Sequence, residues 1–427
     1  MLDIKLLREK SEDIEKIYKN ALFDEGAVLV LHQILDLDKK RKQILLEVEE
    51  LKRRRNDASK LMGGMVGKDE SARVSLLTEM EQVKKEVGAL DAQLRELELR
   101  LENLMLLLPN LPSADVPIGK DDSSNIVIRQ EGTLKRFDFT LKPHWELGEQ
   151  LGIIDFMRGV KLSGSRFYLL KGKGALLQRA LISWMIDVHL EQGYTEVMPP
   201  YMVKQVCMVG TAQLPKFGEN LYKDAEEDFY LIPTAEVPVT NMYREEILEG
   251  ASLPILHVAY TPCFRREKLA AGKDTRGIKR GHQFDKVEMV QFVHPSQGER
   301  VLDKLVDDAE EILRRLELPY RVVQMCSGDL SFAACKKIDL EVYSPGVDEW
   351  LEVSSCSYFG DFQARRAQIR FKEIGKTGTF YVHTLNGSGL ALPRTMIAIL
   401  ENYQNQDGSI TIPQVLRPYL KGLEKIG

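Results

Sequence analysis

The chain has 427 residues, of which 44% are hydrophobic and 29% are charged, and its formal net charge is −5 at pH 7. The length allows two or three domains with full-sized cores. The composition is that of a soluble globular protein, and the small net charge excludes a global nucleic-acid-binding field, so that any such surface is a local patch.

The five cysteines are odd in number and form no Cys-x-x-Cys pair: Cys207, Cys263, Cys326, Cys335 and Cys356. This pattern argues for a reducing compartment and against a zinc site or a disulfide framework. The first residues lack a basic segment followed by an apolar one, and no apolar run approaches the length of a membrane span. We therefore expect a cytoplasmic protein without membrane contact.

The first hundred residues are predicted to be helical. Residues 1 to about 25 have the pattern of one small amphipathic helix. Apolar positions then alternate by threes and fours over 30–51 and again over 80–108, which is typical of coiled-coil seams. Residues 63–67 are predicted to form the turn between two antiparallel helices of roughly 50 Å, and Pro109 ends the second helix.

The predicted coil carries a dense basic cluster. Eight cations lie within residues 39–55: Lys39, Lys40, Arg41, Lys42, Lys52, Arg53, Arg54 and Arg55. A basic stripe on a rigid rod suits phosphate contacts along an RNA duplex, which proteins read by shape and backbone. Heptads more usually indicate a dimerisation or spacer coil, and the pattern alone leaves both interpretations open.

Beyond the coil, the pattern predicts a linker with a strand at 126–129 and a short helix at 145–151. A strong helix with one apolar face covers 174–192, and a strand over 195–198 ends at Pro199. Thr234 is predicted to cap a helix with Glu236 in its first turn.

Residues 256–293 predict an antiparallel strand pair that flanks a polar, basic loop from Glu267 to Lys279. Such a pair brings five side chains close together: Arg265, Glu267, Arg280, Phe284 and Glu288. Guanidinium forks suit phosphate oxygens, an aromatic face suits a base, and carboxylates suit amines, so the set fits a phosphorylated ligand. A surface hairpin with ordinary ion pairs is the alternative.

The C-terminal third predicts a helix at 301–316 and acid-bearing strands at 339–342 and 351–357, although strands generally deplete acids. If Glu341 and Glu352 face a polyphosphate, their oxygens can hold Mg²⁺. A last helix begins near Pro393, and Arg394 in its first turn indicates a ligand anion nearby, because a helix N-terminus does not favour a cation. No P-loop or dinucleotide-binding motif is complete in the sequence.

Three segments resemble the seryl-tRNA synthetases, which are class II aminoacyl-tRNA synthetases. Phe264-Arg265-Arg266-Glu267 with residues 282–288 is similar to their motif 2, residues 384–395 are similar to motif 3, and the helix–strand–proline unit is similar to motif 1. The resemblance implies an α+β fold. An N-terminal tRNA-binding domain (1–112) would carry an antiparallel helical coiled-coil arm (about 28–108).

The same resemblance implies a class II catalytic domain over 113–427, built on a mixed, mainly antiparallel β-sheet flanked by helices. Motifs 1, 2 and 3 would lie at about 174–200, 256–293 and 386–403, and motif 1 would form a homodimer. The implied activity is that of a serine–tRNA ligase, which makes seryl-adenylate from L-serine and ATP with Mg²⁺ and no zinc. The seryl group then passes to the terminal 3′-hydroxyl of tRNA(Ser), and whether tRNA(Sec) is also charged stays open.

The resemblance also implies roles for individual residues. Arg265, Arg394 and Glu352 would be catalytic, and Glu352 with Ser355 would hold Mg²⁺. ATP would contact Arg265, Arg266, Glu267, Arg280, Gly281, Phe284, Glu352, Val353, Ser354, Ser355 and Arg394. Serine would contact Thr234, Ala235, Glu236, Glu288, Asn386 and Ser388. The tRNA would contact Arg41, Lys52, Arg53, Arg54 and Arg55.

Two alternatives remain. One is a class II paralogue that charges serine onto something other than tRNA, against which the basic coil argues. The other is a coiled-coil binding protein with an inert synthetase-like half, against which the joint presence of Arg265, Glu288 and Arg394 argues. Gly281, Tyr358 and Pro393 depart from the usual family pattern, and Gly281 bears on how adenine would pack.

Overall fold

The computed structural model describes residues 1–21, 25–64, 70–268 and 276–427. Part of the predicted 63–67 turn and most of the predicted basic loop after Glu267 lie outside these residues. The chain divides into two units, one made mainly of Asn110–Gly427 and the other of most of the residues before Asn110.

The N-terminal unit is helical, with α1 at Ile4–Glu9, α2 at Ser11–Asn20, α3 at Glu25–Gly64 and α4 at Glu70–Met105. The prediction of one helix over residues 1 to 25 is wrong, because the backbone leaves the helical region at Lys10 (φ −126°) and a new helix begins at Ser11. Acids in the first turn of α2 favour this second start. The Tyr18 hydroxyl donates to the Pro109 carbonyl at 2.9 Å, which ties α2 to the end of the unit.

The predicted antiparallel coiled coil is confirmed. Val48 of α3 packs with Val83 and Val87 of α4, and all three are buried. Ion pairs join early positions of α3 to late positions of α4, as Arg41 with Glu98 (3.6 Å) shows. The helices have 40 and 36 residues, so they are roughly 60 and 54 Å long.

In the C-terminal unit, the described residues form eight further α-helices: α5 His144–Gln150, α6 Phe156–Ser163, α7 Lys173–Glu191, α8 Gln205–Gly210, α9 Glu236–Asn241, α10 Gly298–Arg315, α11 Phe362–Ala367 and α12 Leu392–Asn402. The strands that build the main sheet are β1 Ile126–Glu131, β4 Thr195–Glu196, β9 Ile255–Phe264, β10 Gln283–Val293, β11 Tyr320–Gln324, β12 Lys336–Ser344, β13 Glu349–Tyr358 and β16 His383–Ala391. Smaller sheets contain β2 Ile154–Asp155, β3 Leu169–Leu170, β5 Met202–Val203, β6 Tyr222–Lys223, β7 Tyr230–Leu231, β8 Ile247–Glu249, β14 Arg370–Lys372, β15 Phe380–Tyr381, β17 Ile410–Thr411 and β18 Lys425–Ile426.

The main sheet has the order β1-β11-β12-β13-β16-β10-β9-β4 among the described residues. Its neighbours run antiparallel except β4, which pairs in parallel with β9. The predicted mixed, mainly antiparallel sheet is therefore confirmed. The predicted 195–198 strand is shorter than expected, since its ladder ends at Glu196, shortly before Pro199 and Pro200.

The alternation of side chains along β10 creates the surface on which the site lies. Val287 and Met289 are buried in the main core, together with Leu177 and Trp184 of α7. Because successive side chains of a strand point to opposite faces, Lys286 and Glu288 lie on the other face. The core thus fixes one face of β10 and orients the charged face.

Candidate active site

A cavity of about 340 Å³ lies over this charged face of the sheet. The predicted site residues that line it are Thr234, Glu236, Arg265, Glu267, Arg280, Gly281, Phe284, Glu352, Val353, Ser355, Asn386, Ser388 and Arg394. They come from segments that are up to 160 positions apart in the chain. The sheet therefore brings most of the predicted set into one space.

Arg265 anchors one wall of the cavity. Its backbone N–H donates to the His282 carbonyl at 2.9 Å, which closes the end of the β9–β10 pair. Its Nε donates to the Pro233 carbonyl at 3.1 Å, and its guanidinium lies 5.1 Å from the centre of the Phe284 ring. These contacts fix a forked cation beside an aromatic face.

Glu267 lies next to this cation and pairs with Arg280, whose Nη1 is 3.7 Å from Glu267 Oε2. The backbone of Glu267 has φ +49°, a left-handed conformation that costs a non-glycine residue free energy. Strained conformations of this kind concentrate at ligand sites, where the surrounding structure maintains them.

Arg394 lies at the start of α12, after Ala391 and Pro393. Its Nη1 donates to the Glu352 carbonyl at 2.6 Å and is 3.6 Å from the Glu352 carboxylate. These contacts supply internal anionic partners for a cation that the helix N-terminus does not favour. Desolvation opposes the effect, but Arg394 and then Lys337 hold the pKa of Glu352 below its usual value.

Of the two strand acids considered as metal ligands, one lines the cavity. Glu341 pairs with Arg321 on β11 and does not line the cavity, whereas Glu352 does. Asp339, two residues before Glu341, is buried and lies opposite Ser355 in the β12–β13 ladder. Lys337 Nζ is 3.4 Å from Asp339 and also lines the cavity.

Glu288 is fully buried and does not itself line the cavity, but it contacts two residues that do. Its carboxylate accepts a hydrogen bond from Asn386 Nδ2 at 2.6 Å and pairs with Lys286 Nζ at 2.7 Å. The Oδ1 atom of Asn386 is buried and has no hydrogen-bond partner within the described ranges. Glu288 faces Ser388 in the β10–β16 ladder, so an acid, an amide and a hydroxyl converge there.

Glu236 is a second buried carboxylate, and it lines the cavity. Its backbone N–H donates to Thr234 Oγ1 at 3.2 Å, but Ala235 and not the predicted Thr234 is the N-cap residue of α9. Burial, and then the charge of Glu288, raises the pKa of Glu236 to about 7. A carboxylate that is half ionised near neutral pH is well suited to respond to an incoming cation.

Four predicted residues of the ATP and serine sites lie outside the cavity lining: Ala235, Arg266, Glu288 and Ser354. Ala235 is packed in a hydrophobic cluster, and the Ser354 hydroxyl donates to the Ser388 carbonyl at 2.6 Å. Arg266 is exposed, and its backbone N–H donates to the Asn220 carbonyl at 3.0 Å. Gly281 does line the cavity, where an added Cβ would lie 3.1 Å from Tyr168 and 3.0 Å from the Gln283 carbonyl.

Sequence reasoning missed Lys286 and Lys337, which line the cavity, and the buried Asp339, which does not line it but lies opposite Ser355. The signal for Lys286 was available, because it stands two residues before Glu288 and therefore shares its face of the strand. No sequence signal distinguished Asp339 from Glu341, because both are acids on the same predicted strand.

The cations in the basic cluster of the coil differ in how exposed their side chains are. Arg41 sits at the coil seam with its side chain only 23% exposed, and it is paired with Asp38 and Glu98. Arg53 and Arg54 are mostly exposed and pair with Glu50 and Glu79 at 2.9 and 2.8 Å. Exposed pairs of this kind are worth little, so Arg53 and Arg54 can exchange their partners for phosphates.

Within the described ranges, no helix is long and apolar enough to cross a membrane. The same ranges contain no group of three or more His, Cys, Asp or Glu side chains arranged to hold a metal ion.

The comparisons with known families agree with this geometry. The model of the "tRNA synthetase class II core domain (G, H, P, S and T)" matches residues 218–403, and the model of the "Seryl-tRNA synthetase N-terminal domain" matches residues 1–112. The mixed sheet, its cavity and the first match define a class II aminoacyl-tRNA synthetase.

Full-length relatives specify the family. A serine–tRNA ligase of Thermomicrobium roseum is 57% identical over 428 residues, covering 100% of this chain and 95% of the relative. One from Chloroflexus aurantiacus is 55% identical over 427 residues and 100% of both chains. The crystal structure of seryl-tRNA synthetase from Pyrococcus horikoshii complexed with ATP matches 100% of this chain and 99% of its own, with TM-score 0.95 and 38% identity. The chain belongs to the seryl-tRNA synthetase family, and it is an enzyme.

Proposed function

We propose that this enzyme makes seryl-adenylate from L-serine and ATP and then transfers the seryl group to the 3′-terminal hydroxyl of tRNA(Ser). The observation that carries the proposal is the polarity of the cavity. Arg265, Arg280 and Arg394 line it as cations, Glu236 lines it as a buried carboxylate, and the buried Glu288 contacts Asn386 and Lys286 of the lining. A substrate pair with phosphates on one partner and an ammonium on the other fits this arrangement.

In the first step, the serine carboxylate attacks the α-phosphate of ATP and pyrophosphate leaves. The reaction needs alignment and charge neutralisation more than a protein nucleophile. Arg265 neutralises the charge that develops on the α-phosphate. Glu288 takes the serine ammonium, Thr234 and Glu236 line the pocket, and Asn386 and Ser388 meet the serine side chain.

The same geometry supports our proposal for the rest of ATP. Adenine packs on Phe284 beside Glu267 and Gly281, and Arg280 and Arg394 meet the outer phosphates. The Pyrococcus horikoshii structure was solved with ATP, which supports a nucleotide in the corresponding space. Val353 contributes to the wall of the nucleotide site.

Mg²⁺ fits the part of the cavity formed by Glu352 and Ser355, next to Asp339. Glu352 and Ser355 offer oxygen ligands to the cavity, and the buried Asp339 Oδ1 has no hydrogen-bond partner within the described ranges. Oxygen ligands are those that Mg²⁺ prefers, and the ion would neutralise phosphate charge. Glu352 and Ser355 would hold it, while Asp339 would orient the Ser355 hydroxyl.

We further propose that residues 1–112 form the tRNA-binding domain and 113–427 the catalytic domain, with motif 1 forming a homodimer. Met198 (80% exposed) and Leu190 (41%) in the motif 1 segment support an apolar contact with a second copy.

The proposal is tested by ATP–pyrophosphate exchange and by charging of tRNA transcripts. Exchange should depend on L-serine, and tRNA(Ser) should become acylated in the presence of both substrates. A tRNA(Sec) transcript in the same assay tests the second acceptor. Exchange that does not require serine would contradict the adenylation step, and exchange without tRNA acylation would contradict the acceptor.

The arm carries the first prediction. Replacing Arg53, Arg54 and Arg55 by Ala should weaken tRNA(Ser) binding and flatten its salt dependence, because each lost phosphate contact lowers the slope by about 0.7–0.9. Serine-dependent exchange should be unchanged. The measurement is tRNA affinity over a range of salt concentrations.

The matched control for the arm replaces Lys84 and Lys85, which are exposed on α4 outside the basic cluster. An equal loss in the control would mean that the coil acts only through its general charge. Unchanged tRNA affinity in the triple variant would indicate that the coil is a spacer and does not bind tRNA. Deleting residues 28–108 should abolish tRNA charging and spare exchange.

Ser388 carries the second prediction. Ser388→Ala should lower kcat/KM for serine about tenfold, because one neutral hydrogen bond to the substrate hydroxyl is lost, and should leave alanine nearly unaffected. Exchange kinetics with serine, alanine and threonine provide the measurement. Equal losses for serine and alanine would contradict the side-chain role of Ser388.

A further inference from the structure

A buried chain of hydrogen bonds reaches Glu236 from outside the cavity. Gln363 on α11 is fully buried, and its Nε2 donates to Glu236 Oε1 at 2.6 Å. Thr384 on β16, also fully buried, donates its hydroxyl to Gln363 Oε1 at 2.8 Å. Neither Gln363 nor Thr384 lines the cavity.

The amide of Gln363 has one acceptor oxygen and one donor nitrogen. An ionised Glu236 carboxylate only accepts, so the nitrogen faces it. The Thr384 hydroxyl, which can donate or accept, donates to the amide oxygen and holds the amide in that orientation. A donor held in this way favours the ionised form of its acceptor and fixes one of the two carboxylate oxygens.

Glu236 needs such a donor because of its surroundings. Glu288 and Lys286 face it from β10, and Arg265 acts on it from the end of β9. Burial and the nearby Glu288 raise the pKa of Glu236, while Gln363, Lys286 and Arg265 act in the opposite direction. Of these three, Gln363 is the one that adds no charge to the pocket.

We propose that Gln363, oriented by Thr384, is a positioning residue of the serine site that holds the Glu236 carboxylate in one orientation and in its ionised form for the substrate ammonium. The inference rests on the proposed role of the cavity in serine activation. It adds two residues outside the cavity to the machinery that selects a cationic amino group.

The test is the pH dependence of kcat/KM for serine in pyrophosphate exchange between pH 6 and 8.5. In the parent enzyme, kcat/KM should rise as the pH rises through about 7, because Glu236 ionises there. In Gln363→Leu, the rise should move to higher pH by about one to two units, because a hydrogen bond to the charged form is lost. The variant should therefore lose about fivefold to fiftyfold at pH 7 and recover towards the parent value at pH 8.5.

Two variants of Thr384 keep the test decisive if Gln363→Leu does not fold. Thr384→Val frees the amide and should shift the profile in the same direction by a smaller amount. Thr384→Ser keeps the hydroxyl and should retain the parent profile. The KM for ATP should stay at the parent value in all three variants.

Three outcomes would overturn the inference. The first is a loss in Gln363→Leu that is the same at every pH, which would indicate a purely structural role. The second is a variant pH profile that is not shifted from the parent profile. The third is a parent profile in which kcat/KM does not rise near pH 7. Failure of the parent enzyme to exchange pyrophosphate with serine at any pH would instead overturn the proposed function, so the two failures are distinguishable.

Discussion

Arg265→Ala should slow serine-dependent ATP–pyrophosphate exchange about a hundredfold or more. The substitution removes a forked cation that is proposed to contact the α-phosphate, where charge develops, and loss of such a group typically costs about 3 kcal/mol of transition-state stabilisation. Because that charge develops mainly in the transition state, kcat should fall more than the KM for ATP rises. Steady-state exchange kinetics with serine and ATP varied separately provide the measurement.

The neighbouring arginine supplies the matched control. Arg266 is exposed, and its backbone rather than its side chain makes the contact to Asn220, so Arg266→Ala should change exchange far less. Arg394→Ala should mainly raise the KM for ATP. Parent-like exchange in Arg265→Ala would contradict its assignment, and equal losses in Arg265→Ala and Arg266→Ala would point to a local distortion of the strand end.

Much of the site could be predicted because one strand pair carries it. The β9–β10 ladder pairs Phe264 with Gln283, which brings Arg265 close to Phe284. Alternation along β10 then places Lys286 and Glu288 on the face that Phe284 occupies. Such local rules need only the sequence, and the resemblance of the motif supplied the roles.

Asp339 rather than Glu341 lies opposite Ser355, and local sequence rules could not predict this. The β12–β13 register shifts between Leu340 and Glu341, so Asp339 lies opposite Ser355 while Glu341 lies opposite Glu352. The extra residue of this bulge is Val353 on β13, so Asp339 and Glu341 keep the same face of β12 while the bulge determines which β13 residue meets each acid. Arg321, directly opposite Glu341 on β11, then supplies the ion pair.

Arg41 illustrates the same limit in the coil. Its heptad position places it at the seam, and its charge places it in the basic cluster, so the sequence supports both assignments. The partner helix decides between them, because Glu98 and the buried Asp38 neutralise the guanidinium. We therefore expect Arg41 to contribute less to RNA binding than Arg53 or Arg54.

Glu288→Gln should disable activation of serine, alanine and threonine alike, because all three share the ammonium that this carboxylate is proposed to bind. Losing one partner of a desolvated charge pair typically costs 2–5 kcal/mol, which corresponds to a loss of roughly thirtyfold to several thousandfold in kcat/KM. Selective loss of serine activation would instead assign Glu288 to the hydroxyl. Exchange kinetics with the three amino acids distinguish these results.

The same substitution leaves Lys286 buried beside a neutral amide, so the free energy of unfolding should also fall, by roughly 3–5 kcal/mol. Adding Lys286→Met removes the uncompensated charge and should recover most of that stability, as measured by denaturant unfolding. Activity should not return with it, since no anion remains for the substrate ammonium. If the double variant regained exchange activity together with stability, the loss in Glu288→Gln would have been a folding defect, and the ammonium contact would have to lie elsewhere, with Glu236 as the remaining buried carboxylate of the pocket.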